Sequence, residues 1–328
     1  MNECLASPQA ALPPLLRELT LPLLAAPMFL ISGPELVIAC CRSGIIGSFP
    51  ALNPASSAEL EQWLQRIAAA LAQGPLPGSA RVAPYALSLV VHPGNQRFAA
   101  DLDIAVRHRV PLVIGSMGIS TELVQAVHGY GGLVAHDVIN TRHAEKALAA
   151  GVDMLIAVGV GAGGQGGTLN PFALLGELRE LSDKPIVLSG AMSSGRHIAA
   201  ARAAGASLAG MGTRFIATQE SRATLAYKDM LLSSRAADVV YTSKISGVPA
   251  NFLKASIAAN GLDLREIAEP GEADIGQSLS HHRLAWKHVW SAGQGTGTIH
   301  DVPAVADLVA RLRREYQQAI GELAQSLA

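Results

Sequence analysis

Residues 186–218 read IVLSGAMSSGRHIAAARAAGASLAGMGTRFIAT, and this stretch decides the fold. Ile186-Val187-Leu188 is an apolar run too short for a helix, and Ser189-Gly190 ends it, as a buried strand ends at a tight turn. The next segment, from about Ser194 to Ala204, is alanine-rich, and Gly205 follows where a helix needs a left-handed terminal residue. Leu208-Ala209-Gly210-Met211 is a second strand, running into Gly212-Thr213. Two parallel strands joined by a helix, each opening into small residues, bring bare backbone N–H groups to one face. Such a face suits phosphate. In a (β/α)8 barrel the loops after strands seven and eight are the usual phosphate site, which predicts that these strands are the last of a series.

The series can be counted from the N-terminal side. Leu23-Leu24-Ala25-Ala26 stops at Pro27-Met28, and apolar runs at 45–49, 85–91, 112–116, 133–136 and 154–158 follow, separated by segments of helical spacing. Residues 186–189 and 208–211 are then strands seven and eight. Helix, small residue, glycine and strand recur at Ser43-Gly44, Gly131-Gly132, Ala150-Gly151 and Ala204-Gly205. The strands are continuous apolar runs, as expected when both faces are covered. The reading is an α/β protein, a (β/α)8 TIM barrel. A doubly wound open sheet is the alternative, because periodicity does not show closure.

After Thr218 the rhythm changes. Residues 219–300 hold Tyr227, Tyr241, Phe252, Trp286 and Trp290 among loop-rich runs, which predicts a small, mainly helical lid inserted after strand eight. The expected division is a barrel domain over 1–218, the lid over 219–300, and a helix over 301–328 that returns to the barrel. Asp301 is placed to cap that last helix, with Pro303 in its first turn and Val305, Leu308, Val309, Leu312 and Tyr316 on one face.

Composition limits the partners. With 25 Lys+Arg against 26 Asp+Glu and 16% charged residues, there is no basic field to attract nucleic acid or anionic lipid, so the expected partners are small molecules. Cys4, Cys40 and Cys41 form neither a disulfide framework nor a metal motif, consistent with a reducing, cytoplasmic setting. Prolines and charges interrupt residues 11–31, the one apolar stretch resembling a membrane span. Valine, isoleucine, leucine and alanine fill the interior, since aromatics are only 4% of the chain.

The glycine run Gly159-Val160-Gly161-Ala162-Gly163-Gly164-Gln165-Gly166-Gly167 follows strand six. Six glycines in nine residues predict neither helix nor strand, and they leave room for a flat ligand against the backbone. A plain surface loop is the other reading. His136 ends strand five, where it serves equally as a catalytic group or a satisfied structural histidine. His92 and the pair His281-His282 read as solvated. No HExxH, paired-cysteine or GxSxG pattern appears.

Several of these elements together resemble the FMN-dependent nitronate monooxygenase (2-nitropropane dioxygenase-like) family. They are Ala26-Pro27-Met28, the AGGQGG run, Leu188-Ser189-Gly190-Ala191, Met211-Gly212-Thr213-Arg214-Phe215 and Ser291-Ala292-Gly293-Gln294-Gly295, in order from about Leu23 to Ala310. The resemblance implies FMN, with its phosphate at Gly190, Ala191, Met211, Gly212 and Thr213. The ring would lie near Pro27, Met28, Ser88, His136, Gly163 and Gly164, with Gln294 reaching in from the lid. It also implies O2 as co-substrate and a nitronate or another small donor or acceptor as substrate. Three departures stand out: Gln165 occupies the place of the family's catalytic histidine, Ser88 that of an asparagine, and Asp137 that of a lysine, reversing a charge near the expected flavin. An amide has no basicity near neutral pH, so Gln165 can orient a substrate but not deprotonate it unless His136 substitutes. The expected activity is therefore oxidation of anionic alkyl nitronates with O2, poor on neutral nitroalkanes. Three alternatives stay open: an NAD(P)H-dependent FMN reductase of quinone or enoyl substrates, a flavin-binding protein with little catalysis, and a phosphate-binding barrel without flavin.

Overall fold

In the computed structural model, which describes residues 12–267 and 285–326, eight parallel strands close into a barrel. They are β1 (Leu23–Ala25), β2 (Ile46–Pro50), β3 (Tyr85–Val90), β4 (Leu112–Ser116), β5 (Leu133–Val138), β6 (Met154–Val158), β8 (Ile186–Ser189) and β9 (Leu208–Met211). β1 pairs with β9, Leu24 opposite Gly210, which settles closure against the open-sheet alternative. The intervening helices are α1 (Pro34–Arg42), α2 (Ser57–Leu71), α3 (Phe98–Arg107), α4 (Thr121–His128), α5 (Thr141–Ala149), α6 (Pro171–Leu181) and α7 (Gly195–Ala203). Serine or asparagine caps start five of them: the side chains of Ser56, Ser120, Asn140, Asn170 and Ser194 each accept from a backbone N–H of the first turn.

Two cores follow from the alternation of strand side chains. Leu24, Ile46, Ala86, Leu112, Ile114, Ala135, Met154, Ile156, Val187 and Leu208 fill the barrel, and Leu16 plugs its lower end from a 3-10 turn. The opposite faces, including Leu23, Leu87, Val113, Val134, Val138 and Leu188, pack under the helices. Cys40 and Cys41 lie in this second layer as free thiols. Burial pushes Cys41 up to about 12, so it supplies no thiolate near neutral pH.

The strand β9 is followed by only one turn of helix, α8 (Thr213–Ile216). The eighth outer helix is instead Val305–Gln325, which packs against α7 and α1 and so completes the ring. Its contact with α7 is close enough that a Cβ at Gly195 would fall 2.1 Å from the Leu312 carbonyl oxygen. The helix begins at Val305 with Ala304 as N-cap, not at Asp301. Asp301 is used otherwise: its carboxylate takes a two-pronged pair from Arg311 (2.8 and 3.0 Å) and a contact at 3.2 Å from the buried Arg214.

Between these ends the chain forms α9 (Leu225–Ser233), β10 (Val239–Thr242), β11 (Ala250–Leu253), α10 (Lys254–Ala259) and α11 (Leu264–Ile267). The helices of this lid are thus joined by an antiparallel pair of strands. A third strand, β7 (Gly164–Gln165), comes from the glycine run itself and pairs with β11. The expectation that this run would form no strand is therefore corrected: glycine lacks intrinsic strand preference, but an adjacent edge supplied by the lid gives its backbone a partner. Cys4, His281 and His282 lie outside the described residues. Among the described residues no helix is long and apolar enough to cross a membrane.

Candidate active site

The strand alternation that fills the barrel also selects what faces its mouth. On β5, Val134 and Val138 point to the helices and Ala135 into the barrel, so Asp137 points inward at the upper end. By the same parity Ser88 on β3, Ser116 on β4 and Val158 on β6 reach the same level. Together with Pro27, Met28, Gly163, Gly164, Gln165, Gly212 and Thr213 they line a cavity of about 280 Å³ at the C-terminal face of the barrel, where active sites of this fold occur. The lid contributes Tyr227, Trp286 and Ser291. Among the described residues none of the lining groups is Lys, Arg or His, and Asp137 is the only carboxyl.

Asp137 accepts a hydrogen bond from the Ser116 hydroxyl at 2.7 Å, and its second oxygen lies 3.5 Å from His136 Nδ1. Burial raises its pKa, against the opposing pull of His136, the Ser116 hydroxyl and His143.

A network from the lid fixes the glycine run. Gln165 and Gly164 pair with Ala250 and Asn251. The Asn251 amide donates to the Ala162 carbonyl at 2.6 Å, and Ser291 Oγ both donates to the Asn251 carbonyl at 2.6 Å and accepts from Gly164 N–H at 2.7 Å. The Tyr227 hydroxyl donates to the Ser291 carbonyl, accepts from Ser291 N–H at 3.1 Å, and its ring stacks on Trp290 with centroids 4.9 Å apart. Glycine is required where these segments meet. A Cβ at Gly163 would sit 2.9 Å from Gly293 N and 3.0 Å from Thr213 Oγ1. The Thr213 hydroxyl already accepts from Gly293 N–H at 2.8 Å, which leaves its own proton to donate.

Backbone strain concentrates here as well. Of the five non-glycine residues at positive φ among the described residues, Leu30, Met117, Ala191 and Trp286 surround the barrel mouth, and only Arg109 lies elsewhere. Such conformations cost on the order of 1–3 kcal/mol each and cluster at functional sites.

Residues 14–315 match the nitronate monooxygenase family. The chain belongs to that family. A nitronate monooxygenase of Paraburkholderia phytofirmans is 29% identical over 93% of this chain and 94% of its own. A solved nitroalkane oxidase of Streptomyces ansochromogenes superposes with a TM-score of 0.77 at 25% identity, covering 93% of this chain and 98% of that one. FabK of Thermotoga maritima shares the fold, with a TM-score of 0.78 at 22% identity, over 95% and 97% of the two chains. Membership of the nitronate monooxygenase family makes this chain an oxidoreductase of a flavin-dependent type, on a TIM barrel.

Against that family background, eight of the thirteen residues expected at the site line the cavity: Pro27, Met28, Ser88, Gly163, Gly164, Gln165, Gly212 and Thr213. His136 does not. It lies on the outward face of β5, with Nε2 2.7 Å from the Gly118 carbonyl and Nδ1 2.7 Å from its neighbour's. Both nitrogens face backbone carbonyls rather than the cavity, so the structure does not bring the ring to the site as a substitute base. Met211 likewise points into the layer under the helices. Gly190, Ala191 and Gln294 stand behind the cavity wall. There the Gly161 carbonyl accepts from both Ala191 N–H (3.2 Å) and Gln294 N–H (2.8 Å), tying three loops together.

Asp137, expected near the flavin, does line the cavity, whereas Ser116, Met117, Tyr227, Trp286 and Ser291 line it without having been expected there. Asp137 had a readable signal, since one residue beyond His136 is the opposite strand face. The lid residues had none, because their approach depends on a long-range pairing.

Proposed function

We propose that this chain is an FMN-dependent oxidoreductase of nitronate monooxygenase type that oxidises anionic alkyl nitronates with O2 and acts poorly on neutral nitroalkanes. The observation that carries this reading is Gln165 at the cavity in a lining with no histidine or lysine among the described residues. An amide hydrogen-bonds but does not accept a proton from carbon, and burial raises the Asp137 pKa, disfavouring the carboxylate form that a base requires. A substrate that arrives already deprotonated needs neither group as a base.

The cavity suits FMN. Its walls are apolar side chains, Pro27, Met28, Ile156 and Val158, facing bare backbone at Gly163-Gly164 and Gly212, which is the shape a flat ring requires. Thr213 has a hydroxyl proton to donate, and Gly190 and Ala191 hold positive φ at the end of β8, where backbone N–H groups converge in the phosphate loops of this fold. Bound FMN would accept the substrate's electrons and pass them to O2. Ser88, Ser116 and Gln165 supply the polar contacts that orient a small substrate, and Tyr227, Trp286 and the lid close off water.

Comparing aerobic turnover of propane-2-nitronate and 2-nitropropane by FMN-loaded protein tests the reading. Nitronate should be oxidised about 10²-fold faster or more, the usual contribution of a general base. Equal rates would overturn it.

A further inference from the structure

We propose that Asp137 governs which charge state of substrate this pocket admits: it holds a proton when an anionic nitronate binds, and donates that proton as a hydrogen bond to a nitronate oxygen. The inference rests on the nitronate reading above and adds a residue and a pH dependence to it.

The geometry leaves few other arrangements. The cavity has one carboxyl and no cation among its described lining residues, so a bound nitronate finds no countercharge there. An ionised Asp137 would face that anion in a space mostly walled by apolar atoms, where like charges are poorly screened. A protonated Asp137 reverses the sign of the contact, because a neutral carboxyl is a strong donor to an anionic oxygen.

The orientation is prepared. The Ser116 hydroxyl occupies one carboxyl oxygen from β4 at 2.7 Å, and the inward parity of β5 turns the group to the cavity. The groups facing Asp137 are few. From β4 there is Ser116, from its own strand His136 with Nδ1 at 3.5 Å, and from α5 His143, while its register partner on β6 is the apolar Ile156. All three polar neighbours favour the carboxylate, and burial opposes them and prevails.

The test uses FMN-loaded protein and isobutyrate, a non-oxidisable anion of similar shape to propane-2-nitronate, with binding read from the flavin spectrum between about pH 6 and pH 9, where the probe is ionised. For the natural chain, Kd should rise with pH, by up to about tenfold per unit above the Asp137 pKa. Asp137→Asn should bind with a Kd that varies little over the range. His136 and His143 remain in both proteins, so their titration cannot produce the difference. Ser116→Ala keeps the carboxyl but removes the donor that favours its ionised form, so its rise should begin at higher pH. That variant also decides the matter if Asp137→Asn does not retain FMN. The same pH dependence in all three proteins, or none in the natural chain, would overturn the proposal. If propane-2-nitronate neither reduces the flavin nor competes with isobutyrate at any pH, the nitronate reading itself falls, and this inference with it. Nitronate oxidation with a pH-independent Kd would leave the reading standing and remove only the role of Asp137.

Discussion

Gln165 and Ala250 are partners across an antiparallel ladder, so the residue at position 165 is held by a lid strand as well as by the barrel loop that carries it. Chemistry at position 165 is therefore tied to the packing of residues 250–253 and 285–295, which join the loop through Asn251, Ser291 and Tyr227. The consequences can be measured separately.

Gln165→His places an imidazole in the cavity without disturbing the ladder, which uses only backbone groups. Oxidation of 2-nitropropane should rise by about 10²-fold, the lower end of a general base's worth, while nitronate oxidation changes little. Steady-state rates on the two substrates, compared as kcat/KM, check this.

Asn251→Ala removes the donor to the Ala162 carbonyl and leaves a buried acceptor unpaired. The expected cost is about 1–3 kcal/mol, seen as a lower Tm. FMN affinity should fall in parallel, because the same bond fixes the loop carrying Gly163 and Gly164.

Gly163→Ala forces a methyl group to within 3 Å of both the Gly293 backbone N and Thr213 Oγ1, which are themselves hydrogen-bonded to each other. Segment 291–295 must move away from the loop. FMN binding should weaken by at least about tenfold, measured by fluorescence titration of the stripped protein.

Asp301 links the buried Arg214 to Arg311 at the start of the last helix. Asp301→Ala takes the carboxylate from a guanidinium that is 3% exposed, leaving it the backbone carbonyls of residues 217 and 301, and because Asp301 itself is half open to solvent the loss should be about 1–3 kcal/mol. The natural carboxylate's pKa is lowered by the Arg311 hydrogen bonds first and the Arg214 charge second. Its stabilisation is thus complete above the ordinary carboxylate value of about 3.9 and is lost as pH falls through the lower folded value. Urea unfolding of both proteins from neutral to acid pH should show the gap between them closing on the acid side.

The barrel was legible because its signals are local. Strands such as Met154–Val158 are continuous apolar runs, glycines such as Gly205 at φ +103° end helices, and caps such as Ser194 start them. The family motifs located most of the cavity lining for the same reason: Pro27-Met28, Gly163-Gly164 and Gly212-Thr213 each lie at the end of a barrel strand. His136 was misplaced by a single residue of strand parity, since β5 runs on to Val138 and its inward face is Asp137. The strand in the glycine run was invisible because its partner is more than eighty residues away in sequence, and a two-residue strand carries no periodicity of its own. Asp301 reads as a cap from its spacing before Val305, yet it pairs with Arg214 and Arg311 instead, and the Glu220 carboxylate accepts from the Val305 N–H that opens the helix.

The most direct test of the central claim is an anaerobic spectrum of the purified, FMN-loaded protein, recorded before and after adding propane-2-nitronate and, in a second cuvette, NADH or NADPH. The account predicts flavin bands that the nitronate bleaches, that neither nicotinamide bleaches on the same timescale, and that return on admitting air. Bleaching by NADH or NADPH with no response to nitronate would contradict it and make the protein a reductase on the same barrel.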